Sequence, residues 1–118
     1  DIVVVNHVLE HVADPKKLIS SFSCRFLFIG VPNFGSFMAR LKKDRWQSLI
    51  PDQHVWHFTL SSLDRLVTSY GFRRIGITYE NHDRSMHPWW KRLAYAILDT
   101  IALATGRGEA MLVAYKKI

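Results

Sequence analysis

The chain has 118 residues, of which 48% are hydrophobic and 22% charged, enough for one domain with a buried core and too apolar for a disordered protein. A single cysteine, Cys24, excludes an intrachain disulfide and reads as a buried free thiol, in keeping with a reducing cytoplasm. The net charge of +6 is spread over separate clusters, Lys16-Lys17, Arg40 to Arg45, Arg73-Arg74, Lys91-Arg92 and Lys116-Lys117, which reads as solvated faces and not as a specific nucleic-acid site.

Ile2 to Val5 is a β-branched run without alternation, which predicts a strand covered on both faces, as in a parallel sheet. Asp14-Pro15 starts a helix: Asp14 caps the free amides, Pro15 suits the first helical position, and Leu18, Ile19 and Phe22 supply an apolar stripe. Arg25 to Pro32 reads as a second strand, with Pro32 marking its exit. Phe34 to Lys43 reads as a weak basic helix, and Asp44 to Phe58 as an irregular stretch carrying Pro51, His54 and His57.

Thr59 to Tyr70 carries Leu63, Leu66, Val67 and Tyr70 at helical spacing, with Ser61 and Asp64 as a capping-box pair and Gly71 as the stop. Phe72 to Glu80 is the third strand, Trp89 to Thr105 a broadly apolar helix ended by Gly106 and Gly108, and Glu109 to Lys117 the last strand. The order β-α-β-α-α-β-α-β implies a layered α/β sheet. A chain that opens on a core strand reads as part of a larger domain. No signal-peptide pattern is visible, and the longest apolar segment, around Leu93 to Ala104, is too short and interrupted to span a bilayer.

The opening DIVVVNHVLEHVADP resembles the fourth strand and following turn of class I S-adenosylmethionine-dependent methyltransferases, nearest the ubiquinone-biosynthesis O-methyltransferases. FLFIGVPNFGS, HVWHFTLSSLDRLVTSYGF and GRGEAMLVAYKKI match later pieces of that family in order. The resemblance implies the C-terminal half of a Rossmann-like sheet, its fourth to seventh strands with flanking helices, the last strand antiparallel, and a variable helical insert at about residues 82–106. The glycine-rich loop and the acidic strand end that hold most of the cofactor in the family have no counterpart among these residues.

Asn6 and His7 end the first strand, where ligands bind in open α/β sheets; the resemblance implies that they line the methionine end of S-adenosylmethionine. Glu10 and His11 follow as the pair expected to orient or deprotonate the acceptor, since methyl transfer needs alignment and removal of an acceptor proton. Asn33, His54 and His57 are expected on the substrate side, with Trp46, Trp56 and Phe58 as aromatic walls. The implied acceptor is a small molecule or a glycan- or lipid-linked one, modified at oxygen.

Two metal readings arise at the same turn. Small-RNA 2′-O-methyltransferases, a related family, hold a divalent cation on a Glu-x-x-Glu-His turn plus a distant histidine; here His7 stands in place of the first glutamate, and no metal site is expected. His7 to His11 also spell His-x-x-Glu-His, a zinc-protease signature that needs one continuous helix, whereas a strand runs directly into His7.

Trp90, Leu93, Ile97, Ile101 and Ala104 form one stripe of the insert helix, expected to cover the sheet or the substrate pocket; the other reading is a peripheral helix with Trp89, Trp90, Lys91 and Arg92 at a lipid surface. The first strand should leave an unpaired edge prone to self-association, and the fragment alone should be inactive. The competing functional reading is a non-catalytic, basic binding module for nucleic acid or membrane.

Overall fold

Side-chain caps fix where three of the four helices begin. The computed structural model describes residues 1–118 and contains strands β1 (Ile2–Asn6), β2 (Phe26–Pro32), β3 (Phe72–Glu80) and β4 (Ala110–Lys117), with helices α1 (Pro15–Ser20), α2 (Phe37–Lys42), α3 (Leu60–Thr68) and α4 (Trp89–Ala104). Asp14 caps α1 as the sequence predicts, accepting from the Lys17 amide at 3.0 Å, with Pro15 as the first helical residue. The capping box of α3 is formed by Thr59 and Ser62, not by Ser61 and Asp64: the helix starts at Leu60, so Thr59 is its cap and Ser62 the third helical residue. Gly71 ends the α3 region at φ 79°. The helix expected from Phe34 starts only at Phe37, because Asn33 to Gly35 forms a turn closed by the Gly35 amide on Asn33 Oδ1 (3.0 Å) and Ser36 then caps.

The sheet order is β1-β2-β4-β3; β1 and β2 are parallel, and β4 runs antiparallel to both of its neighbours. Register aligns Val5, Ile29 and Val113 across one face. Leu27, Val31, Met111 and Tyr115 join them, and Ile19 of α1 with Leu63 and Val67 of α3 closes the core. Each such aliphatic side chain contributes about 1.5–3 kcal/mol on burial. Tyr115 satisfies its hydroxyl on Asp64 Oδ1 at 2.8 Å. Burial, and then the Asp64 carboxylate, push its pKa upwards. Cys24 is buried and unpaired.

Two expectations change. β1 is covered on one face only: Ile2 is 64% and Val4 65% exposed, and the same bare face continues through Leu112. α4 presents Trp90, Leu93, Ile97 and Ile101 to solvent, while Ala102 is buried and Tyr95 and Leu98 are half-buried on its other side. Hydrophobic periodicity identifies an apolar face without saying what lies against it. No helix is long and apolar enough to cross a membrane.

Candidate functional site

Asn6, Gly30 and Leu112 form one row across the sheet. At this row the carboxyl end of β1 opens into a cleft of about 240 Å³ lined by Asn6, His7, Gly30, Glu80, Met111 and Leu112, among others. Asn6 lies across Gly30 so closely that a Cβ there would collide with its carboxamide oxygen. The glycine inside the apolar run FLFIGVP is thus a close-approach position. That signal was in the sequence, whereas Glu80, Met111 and Leu112 reach the cleft only through strand pairing.

The chain turns sharply after β1. His7 holds φ 53°, unusual for a residue with a side chain, and its amide donates to the Gly30 carbonyl at 2.8 Å. A 3-10 turn over Leu9–His11 follows. This geometry rules out the zinc-protease reading, which needs both histidines on one continuous helix.

The turn folds His7 back so that its Nδ1 is 3.3 Å from Glu10 Oε1, while His11 Nε2 is 3.8 Å from the same oxygen. Glu10 is 1% exposed, and neither of its carboxylate oxygens receives a hydrogen bond. A buried carboxylate left this way is costly. The Glu10 main-chain carbonyl accepts from the amides of Val55 (2.8 Å) and Trp56 (3.2 Å), drawing the irregular stretch over the turn.

His54 therefore arrives beside His11, their rings 4.8 Å apart, and His57 lies 6.5 Å from His54. His11 Nδ1 donates to the Gln53 carbonyl at 2.6 Å, and His54 Nδ1 donates to the Ser48 carbonyl at 2.7 Å. A carbonyl only accepts, so in each neutral ring Nδ1 carries the proton and Nε2 keeps its lone pair. One carboxylate and two imidazoles with ligand atoms within 4.8 Å of one another could hold a divalent cation or act as a proton acceptor.

The other expected site residues are placed differently. Asn33 is buried, and its Nδ2 donates to the Gly108 carbonyl at 3.0 Å while Oδ1 accepts from Gly35, so its amide ties β2 to the turn before β4. Trp46 is buried with Nε1 on Glu109 at 3.0 Å, which makes it an anchor and not a pocket wall. Trp56 donates to the Val12 carbonyl at 2.9 Å and, with His57 and Phe58, lines a separate cleft between α1 and α3 of about 470 Å³.

Sequence reasoning gave no sign of the cluster around Glu109. This fully buried carboxylate accepts from Trp46 Nε1, the His82 amide (3.1 Å) and Arg84 (2.6 Å), and Arg84 also meets Asp99 at 3.3 Å. Burial works against the Arg84 charge, but Asp99 and Glu109 more than offset it and raise its pKa. Burial holds the His82 pKa below its ordinary value, with Glu109 opposing and Arg84 reinforcing the shift.

Residues 1–75 match the model of a family described as a methyltransferase domain. Among crystal structures, the chain is similar to a SAM-dependent methyltransferase of Thermotoga maritima, described as a possible histamine N-methyltransferase, at 15% identity and TM-score 0.66, over 100% of this chain and 56% of that one. It is similar to a SAM-dependent methyltransferase of Archaeoglobus fulgidus at 18% identity and TM-score 0.59, over 99% of this chain and 59% of that one. It is also similar to the small RNA methyltransferase HEN1 at 12% identity and TM-score 0.58, over 99% of this chain and 14% of that one. These likenesses establish the shared α/β fold, and the chain spans less than two thirds of each structure. No curated protein sequence matches the chain.

Proposed function

This chain belongs to the methyltransferase-domain family, and we propose that it supplies the acceptor-side half of an enzyme that moves a methyl group from S-adenosylmethionine to an oxygen of a small or medium-sized acceptor, in the manner of the ubiquinone-type O-methyltransferases. The observation that carries the reading is that the matched stretch, residues 1–75, contains Asn6, His7, Glu10 and His11 in one turn at the carboxyl end of a parallel strand. The cleft there, about 240 Å³, is smaller than the ~300–1,000 Å³ of a complete small-molecule pocket. It fits one end of the cofactor, with the rest held by another part of the domain.

S-adenosylmethionine supplies an electrophilic methyl group when bound. Asn6 and His7 would hold its amino-acid end through an amide and an imidazole beside the Gly30 backbone. Glu10 and His11 would orient the acceptor and take its proton, the buried carboxylate stabilising the imidazolium that forms. His54 and His57 would close over the acceptor. The acceptor is a small molecule or a glycan- or lipid-linked one, met in a reducing cytoplasm.

A second reading rests on the same group: Glu10, His11 and His54 would hold a divalent cation that binds the acceptor oxygen. The bare face and unpaired edge of β1 fit the remaining half of the domain, and without it this fragment would self-associate and be inactive.

The test is titration calorimetry with S-adenosylmethionine on this chain and on the protein extended to a complete domain. The extended protein should bind, and His7→Ala should weaken binding about tenfold. Absence of binding in both would remove the methyltransferase reading.

A further inference from the structure

His54 reaches the candidate site on residues 46–54, a stretch with no helix or strand. Its ring is therefore set by whatever holds that stretch. The His54 amide donates to the Ile50 carbonyl at 2.7 Å, and its Nδ1 donates to the Ser48 carbonyl at 2.7 Å. Two side-chain hydrogen bonds tie the stretch to the body of the protein. Trp46 Nε1 donates to Glu109 at 3.0 Å, and Ser48 Oγ shares a hydrogen bond of 3.1 Å with His82 Nε2.

His82 is a fixed point and Ser48 is not. Glu80 and Ala110 pair at the ends of β3 and β4; His82 lies two residues beyond the first and Glu109 one residue before the second. The His82 amide donates to the fully buried Glu109 carboxylate at 3.1 Å. Ser48 is buried, but its amide donates to no main-chain carbonyl. The bond at Trp46 holds the chain two residues away and leaves the peptide plane after Ser48 free to rotate. The Ser48 hydroxyl is what fixes the residue whose carbonyl meets His54.

We propose that His82 and Ser48 are positioning residues for His54: their hydrogen bond holds the Ser48 carbonyl on the Nδ1 proton of His54 and so keeps the Nε2 lone pair free for the cluster with Glu10 and His11. Both roles depend on His54 acting on the acceptor side, the reading proposed for this turn. A neutral imidazole carries one proton, and in water it favours Nε2 for it. A carbonyl can only accept, so its direction decides which nitrogen keeps the proton. Hydrogen bonds weaken steeply as they bend. A Ser48 carbonyl released to rotate would let the proton pass to Nε2, the nitrogen that a base or a metal ligand needs bare.

The test is histidine 1H–15N correlation spectroscopy on the protein extended to a complete domain, at about pH 8, where imidazoles are neutral. No cofactor or acceptor is added, so failure of the methyl-transfer reading in calorimetry and failure of this proposal are separate results. The chain has six histidines, and the signals missing from His54→Gln identify its ring. Wild-type His54 should carry its proton on Nδ1. His82→Asn, whose carboxamide stops short of Ser48, should lower the ratio of Nδ1–H to Nε2–H about tenfold, with circular dichroism unchanged. His82→Gln places a carboxamide nitrogen where Nε2 stood and should restore the wild-type ratio. If His82→Asn unfolds, Ser48→Ala removes the hydroxyl alone and should lower the ratio in the same direction. A wild-type His54 protonated on Nε2 overturns the proposal, as does a ratio that His82→Asn and Ser48→Ala leave unchanged. Equal loss in His82→Gln and His82→Asn also overturns it, since the imidazole itself, and not its bond to Ser48, would then hold the loop.

Discussion

Trp46 Nε1 donates to the Glu109 carboxylate across 3.0 Å, joining residues 63 positions apart. Through Glu109 the same carboxylate holds Arg84, so the turn after α2, the segment before α4 and the start of β4 share one anchor. Glu109→Gln leaves the Arg84 guanidinium buried with a weakened partner. Chemical denaturation should show a loss of about 3 kcal/mol, and an unchanged midpoint would mean that Asp99 alone suffices.

His82 beside this anchor gives stability a pH dependence. Its folded pKa lies below the ordinary 6.5, chiefly from burial, so the unfolded chain binds the proton more readily. The stability tied to neutral His82 is fully present above about pH 6.5 and is lost as pH falls through the depressed folded value. Denaturation midpoints measured from about pH 7 to about pH 5 should fall, and His82→Gln should flatten that slope.

Glu10→Gln separates the roles assigned to the turn. Turnover of the complete enzyme should fall about a hundredfold or more, while cofactor affinity should fall less than His7→Ala lowers it, because Glu10 reaches the cofactor end only through its contact with His7. Removing a buried charge without a donor should raise thermal stability by about 1 kcal/mol. A chelator applied to the wild type chooses between the two readings: retained activity supports imidazole chemistry, whereas activity lost and then restored by a divalent cation supports the metal.

Gly30→Ala tests the cofactor end of the cleft. The added methyl meets the Asn6 carboxamide, the far end of a side chain that can swing away. Stability should therefore change by less than about 1 kcal/mol, while S-adenosylmethionine affinity falls about tenfold, measured by calorimetry on the complete domain.

What the sequence revealed was local. Asp14-Pro15, Gly71 and the bounds of β3 act through neighbours in the chain, and the structure repeats them. The turn at His7 to His11 was legible as a chemical cluster, and the fold brings His54 to it. The sequence does not say what lies against the apolar face of α4 or the outer side of β1, because an apolar residue looks the same whether protein, solvent or lipid covers it. The partners of Glu109 are set by the sheet register and not by neighbours in the chain, and Asn33, expected on the substrate side, spends its amide on Gly108 and Gly35.

The two hydrogen bonds from Val55 and Trp56 to the Glu10 carbonyl make the loop and the turn that carries Glu10 one mechanical unit. A displacement of His54 or His57 would pull on the Glu10 main chain through these two bonds. A change at residues 54–57 would therefore move the Glu10 backbone as well, so the loop and the turn would have to vary together.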